Sequence, residues 1–160
     1  MKKDELIIIR GDVVDKITHL DNTISIVIAR YYFGKDNFEF INDVLYNRYV
    51  SAFAKQSILN KIFKRMEIPR AEIKDVQRLF EIRNIFAHSW AMMKEVSPDG
   101  MDSSTVNIYL REDLDSEYSA EELKAEFDEK FVKIQQFFFV KFMGADPDKE
   151  GLQTISDIPI

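Results

Sequence analysis

Apolar residues that return every three or four positions constrain this chain more than any other feature. Val13, Ile17, Leu20, Ile24, Val27 and Tyr31 keep that rhythm, which places them on one side of a helix at about 100° per residue. The stretch predicts a helix from about Val13 to Phe33. Gly34 follows, a residue suited to the left-handed conformation in which helices end. A shorter segment from Asn37 to about Asn47 carries Phe38, Ile41, Val44 and Leu45. A third, about Ala52–Met66, presents Phe53, Ile58, Leu59, Ile62 and Phe63. Pro69 stands where a fourth helix would start, a position that tolerates its missing N–H. That helix is expected to run from Arg70 to about Met93. Ser119 followed by Glu122 is a capping-box pattern ahead of a fifth helix. Its inner stripe is Leu123, Phe127, Phe131, Ile134, Phe138 and Phe142.

The texture changes between the fourth and fifth helices. Ser97-Pro98-Asp99-Gly100 is a turn signal, and Val106, Ile108 and Leu110 alternate with Asn107, Tyr109 and Arg111. A period of two indicates a half-buried strand, so a small β-hairpin is expected near residues 95–112. The expected fold is all-α: a bundle of about five helices with that hairpin inserted. Residues 1–143 form a single domain in this reading, and 144–160, mixing Gly, Pro and acids, form a C-terminal tail. Phe137-Phe138-Phe139-Val140 is apolar on more than one face. Either that helix lies deep in the core or its outer side meets another subunit.

Composition enters through what it excludes. A chain of 160 residues suits one domain. With no Cys, a disulfide framework or a thiolate metal site is ruled out. The apolar run Leu6–Ile9 stops at Arg10. A signal peptide needs about 7–15 apolar residues and a spanning helix about 20, so the expectation is a cytoplasmic protein with no membrane partner. A net charge of −6 disfavours coating nucleic acid by bulk electrostatics. The charge is unevenly spread, however. Residues 44–94 hold ten Lys/Arg against four Asp/Glu, and residues 95–160 hold six against sixteen. The third and fourth helices therefore form a basic block, with Lys55, Lys61, Lys64, Arg65, Arg70, Lys74, Arg78 and Arg83 as members. Such a block is either a solvated surface neutralised by the acidic helix or a confined site for phosphates.

One motif lies inside that block. On a helical wheel Val76, Leu79, Phe80, Ile82, Phe86, Ala87 and Trp90 share a broad apolar arc, and Arg83 falls near its middle. Gln77, Glu81, Asn84 and His88 form a polar stripe on its flank. A guanidinium among apolar residues is costly unless it is paired or reaches an opening. Two arrangements satisfy that rule. In one, Arg83 meets an acid on a neighbouring helix and His88 is a satisfied core group. In the other, Arg83 and His88 act on a ligand, with Asn84, one turn before His88, orienting the imidazole. Arg83 and His88 stand about 140° apart. Convergence then requires a bent Arg side chain, a helix distortion or a second copy of the chain.

The segment Arg83-Asn84-Ile85-Phe86-Ala87-His88-Ser89 resembles the Arg-(Asn/Asp/His)-x-x-x-His signature of the HEPN superfamily of helical domains. "IRNIFAHS" is similar to the form seen in its mannitol operon repressor-like branch. The likeness extends upstream through Ser51–Ser57 and Ile68–Phe80 and covers about residues 13–93. It implies a dimerising helical bundle in which the signatures of two subunits face each other. It also implies a metal-independent endoribonuclease, or else a noncatalytic dimeric regulatory or RNA-binding module. In catalytic members the positions matching His88 and Arg83 serve the chemistry, and the one matching Asn84 supports it. RNA would be the substrate, held by Lys55, Lys61, Lys64, Arg65 and Arg78. The setting implied is antiviral defence, a toxin–antitoxin pair or stress regulation, with a regulatory protein as a further partner. The toxin branch carries a Tyr two residues after the His. Here that position is Trp90, which argues against regulation by modification of that Tyr.

Other candidates carry less. His19, Asp15 and Asp12 share one side of the first helix, as a surface ion pair or a weak metal site. Tyr31, Tyr32, Tyr46 and Tyr49 either stack on bases or pack the core. No Gly-rich phosphate loop, Ser-centred elbow or His-Glu-x-x-His pattern occurs, and the reading assigns no cofactor and no metal.

Overall fold

Helix α1, Lys3–Phe33, is the element against which the others pack. In the computed structural model, which describes residues 3–88, 90–95, 104–109 and 117–144, it lies against α3 (Ala52–Arg65), α4 (Arg70–His88) and α5 (Ala120–Phe138). The predicted stripe accounts for this: Val13, Ile17, Leu20, Ile24 and Val27 are all buried. The helix starts ten residues earlier than expected. Leu6, seven residues before Val13, is also buried and continues the stripe, at the cost of about 1 kcal/mol for Gly11 inside a helix. Gly34 ends α1 at φ 71°, its N–H donating to the Arg30 carbonyl at 2.8 Å.

The second helix is shorter than predicted. One turn, α2 (Phe38–Phe40), passes into a π-helical turn over Ile41–Leu45, which buries Ile41 and Leu45 against α1. Helix α5 likewise continues as a π-helical turn over Phe139–Met143, closed by Gly144 at φ 71°. Each π turn holds one residue more than an α turn. The second of them brings Phe142 to 6.2 Å from Phe63, stacked, while Phe137 and Phe138 meet Phe63 at 5.6 and 6.2 Å. Of the two roles open to the Phe137–Val140 run, the internal one is thus taken by Phe137 and Phe138. Val140 is exposed.

The mostly helical class stands, with a small sheet in place of a plain hairpin. Strands β1 (Trp90–Glu95), β2 (Ser104–Tyr109) and β3 (Glu117–Ser119) form an antiparallel sheet in that order. Helical periodicity carries α4 to Met93, but the helix ends at His88. Pairing with β2 takes the next residues, setting Ala91 opposite Ile108 and Met93 opposite Val106. That long-range partner lies outside any local helical pattern. The sheet runs directly into α5, where the Ser119 hydroxyl accepts the Glu122 N–H at 3.3 Å as the capping pattern required. Ser119→Ala is expected to cost about 1 kcal/mol, measured as a lowered urea midpoint with unchanged slope. The tail at 145–160 and the turn at Ser97–Gly100 lie outside the described residues. No described helix is long and apolar enough to cross a membrane.

Charged pairs lace α5 to its neighbours. Asp75 of α4 accepts from Lys130 at 2.8 Å and Lys133 at 2.5 Å. Asp12 and Lys16 of α1 alternate with Lys124 and Asp128 of α5 in a four-charge ring. Burial pushes the Asp75 and Asp12 carboxyls up, but their lysine partners outweigh it and hold both below the usual carboxylate range. Arg30 does the same to Asp36, and Arg78 to Glu126. Carboxyls held low stabilise the fold above their ordinary values, and the contribution is lost as pH falls through the depressed ones. The urea midpoint is therefore expected to drop below about pH 4, and less steeply in Asp75→Asn. A midpoint unchanged down to about pH 3 would exclude this linkage.

Candidate functional site on helix α4

Helix α4 has two faces of opposite character. Ile73, Val76, Leu79, Ile82, Ile85 and Phe86 are buried. Opposite them Arg70, Lys74, Gln77, Glu81, Asn84 and His88, at steps of four, three, four, three and four, are all exposed. At about 100° per residue these six occupy one narrow stripe. The predicted polar stripe is thus present and extends to the helix start.

Arg83 leaves the core-facing arc to join it. The residue is half-buried, and its Nη1 donates to Asn84 Oδ1 at 2.9 Å. No acid pairs with it among the described residues, so the buried ion pair is not what Arg83 forms. The Nε is shut off from solvent without a partner, and a buried donor left unmet costs about 1–3 kcal/mol. That cost is withdrawn if an acceptor arrives. His88, the last residue of α4, is exposed, and its side chain makes no hydrogen bond or ion pair with a described residue. It is not a satisfied core group. Asn84 Oδ1 accepts from Arg83, and no hydrogen bond joins Asn84 to the His88 imidazole. The side chain of Trp90 lies outside the described residues.

The basic block is sorted by the fold into two kinds of cation. Lys55 is not at the surface: its side chain is 4% exposed, its Nζ lies 2.5 Å from Asp21 Oδ2 and 4.7 Å from the centre of the Tyr46 ring. It belongs to the core row with Leu59 and Ile62, and this removes it from the surface expected to meet RNA. Arg78 is engaged as well. Its Nε and Nη2 both reach Glu126 at 2.8 Å, and Nη1 lies 3.5 Å from Glu81. Its planar fork is filled by a carboxylate, the geometry a phosphate would otherwise take. Lys61, Lys64, Arg65, Arg70 and Lys74 remain exposed, with no acid paired to them among the described residues.

His19 lies 3.6 Å from Asp15 as an exposed pair, while Asp12 faces Lys16 and Lys124. Among the described residues no three His, Cys, Asp or Glu gather as metal ligands. Tyr31 packs on the core, whereas Tyr32, Tyr46 and Tyr49 are exposed. Sequence reasoning placed Phe53 among the apolar positions of its helix, but it is 80% exposed. Its position opposite the Lys55–Leu59–Ile62 row was the available signal. An open depression lined by Arg30, Lys35, Met66, Lys141 and Phe142 lies at the far ends of α1 and α5, and no α4 residue lines it. No protein-family model matches the chain, and neither does any curated protein or solved structure.

Proposed function

We propose that the chain is a HEPN-like protein acting on RNA, a metal-independent endoribonuclease working as a homodimer. The observation that carries this reading is Arg83. It is drawn from the core-facing arc to the solvent stripe by Asn84, has no acid partner among the described residues, and keeps an unmet donor. A guanidinium so placed suits the nonbridging oxygens of a phosphodiester. His88, exposed a little over one turn beyond, carries an imidazole, the side chain most often used for proton transfer. In the reaction the RNA 2′-oxygen attacks its own phosphorus, forming the O2′–P bond and breaking the P–O5′ bond. One His88 takes the 2′-OH proton, and the second subunit's copy of that residue protonates the departing 5′-oxygen. The cytoplasmic setting, a role in defence or stress regulation and a regulatory protein partner come from the resemblance alone.

The test is incubation of labelled RNA with the purified protein in EDTA. Cleavage leaving 2′,3′-cyclic phosphate and 5′-hydroxyl ends is expected. Cutting only after a divalent metal is added overturns the reading. A second reading, the noncatalytic HEPN-like regulatory or RNA-binding module, is favoured by one observation. No described residue bonds to the His88 imidazole to set its tautomer. Under it RNA is bound and left intact.

A further inference from the structure

Five of the described cations that form no ion pair with a described residue lie close together, while Lys35, Arg48, Arg83 and Lys141 lie apart from them. Lys61, Lys64 and Arg65 end α3, and Arg70 and Lys74 begin α4, with a four-residue elbow between them. The described lysines of α5 up to Lys133, by contrast, are all paired, as are Lys16, Arg30, Lys55 and Arg78. Helix energetics explain only part of the cluster. A helix C-terminus favours Lys64 and Arg65, but Arg70 opens α4, where the helix dipole disfavours positive charge, and Lys74 lies beyond the reach of either end. Only two acids, Glu67 and Glu72, lie within residues 61–74 against these five cations, so the elbow stays positive in an acidic protein.

The exposed face of α3 continues from this cluster to two aromatic rings. Phe53, Ser57, Asn60, Lys61, Lys64 and Arg65 are all exposed; Phe53, Ser57, Asn60 and Lys64 follow at steps of four, three and four, with Lys61 and Arg65 beside them. Phe53 sits in the first turn at 80% exposure. Tyr49, just before it, is 77% exposed, with the Arg48 guanidinium 4.8 Å from its ring centre. Rings at one end and exposed cations at the other, about 18 Å apart along the helix, match the two devices that hold single strands. Aromatic faces stack on bases, and cations track phosphates.

We propose that the outer face of α3 and its elbow bind a single RNA strand, with bases on Phe53 and Tyr49 and phosphates on Lys61, Lys64, Arg65, Arg70 and Lys74. Unpaired strands fit better than duplex, because a paired base has no free face to offer a ring. The occupant being RNA rests on the nuclease reading above, but the site is separate from it. Arg70 precedes His88 by a helix length of about 27 Å, so anchoring and chemistry reside on different residues.

The probe is a fluorescent single-stranded 2′-O-methyl oligoribonucleotide of about 16 residues, which cannot be cut by 2′-OH attack. Its binding is read by anisotropy across a salt series. Neutralising the five cations to Gln is expected to weaken binding at least tenfold. It is also expected to flatten the log–log salt slope by up to about 3.5, near 0.7 for each phosphate that is no longer neutralised. Phe53→Ala is expected to weaken binding between about 5-fold and 150-fold. Lys133→Gln, whose charge is committed to Asp75, is expected to change binding less than twofold. Replacing Lys61, Lys64 and Lys74 by Arg keeps binding and guards against a misfolded Gln variant. The proposal is overturned by unchanged affinity in the neutralised protein, by equal or tighter binding of duplex or heparin, or by Phe53→Ala altering oligomeric state rather than RNA binding. The two readings fail separately. His88→Ala that still cuts RNA while the elbow variant loses the probe removes the nuclease alone. An elbow variant that binds normally while His88→Ala is inert removes the anchoring face alone.

Discussion

His88→Ala is expected to lower metal-free RNA cleavage by about 10²–10⁴-fold, the range for loss of a positioned general acid or base. The exposed side chain makes no hydrogen bond or ion pair with a described residue, so the thermal midpoint is expected to stay within the small range of surface substitutions. Arg83→Ala is expected to cost about 10²–10³-fold by removing charge stabilisation of the phosphorane-like transition state. It should leave the fold no less stable, because it also deletes the buried Nε that has no partner. Arg83→Lys is expected to recover only part of the rate. An ammonium has no planar fork, and one bond of the native side chain already goes to Asn84. Asn84→Ala tests the role the geometry assigns to it. As a residue that positions Arg83, it is expected to lower activity about tenfold in the wild-type background and hardly at all in Arg83→Ala, a coupling that a double-mutant cycle reads directly. Wild-type cleavage by His88→Ala would leave the noncatalytic module as the surviving reading.

Asp21→Ala is expected to destabilise the protein by about 3 kcal/mol, at the low end of the range for stranding one partner of a buried ion pair. The asymmetry of the pair sets that figure. Lys55 is 4% exposed and loses its one carboxylate partner among the described residues, while Asp21 is 24% exposed and keeps an Oδ1 shut off from solvent without a partner. Lys55→Met is expected to cost less than Asp21→Ala. It keeps an apolar stem in a buried place beside the Tyr46 ring, and the charge left behind belongs to the more exposed of the two partners. Combining the two is expected to recover much of the loss, leaving a coupling of about 1–3 kcal/mol in urea unfolding followed by circular dichroism. If Asp21→Ala costs below about 0.5 kcal/mol, as surface changes do, Lys55 is solvated and returns to the cations able to meet RNA.

The elements were legible wherever the signal is local. Gly34 ends α1, Pro69 precedes α4 and Ser119 caps α5, because each acts on backbone groups within one turn of itself. The inner stripe of α5 is buried at Leu123, Phe127, Phe131, Ile134 and Phe138 for the same reason: periodicity alone determines which side of a helix is apolar. The candidate site was legible in residue type and in its stripe of Asn84 and His88. The end of α4 was not, because Ala91 and Met93 pair with residues more than a dozen positions away.

By itself, then, the sequence determined a mostly helical chain, its helix faces, its caps and a basic block carrying an Arg-Asn-x-x-x-His motif. Only the tertiary structure decided which of those charges remain available. Lys55 is cancelled by Asp21, and Arg78 by Glu126 on another helix. Lys61, Lys64, Arg65, Arg70 and Lys74 are left facing water, and Arg83 is turned outward onto Asn84. The physical reason is range. Helical periodicity couples neighbours three and four residues apart, whereas an ion pair forms between any two charges the packed helices bring within a few ångströms.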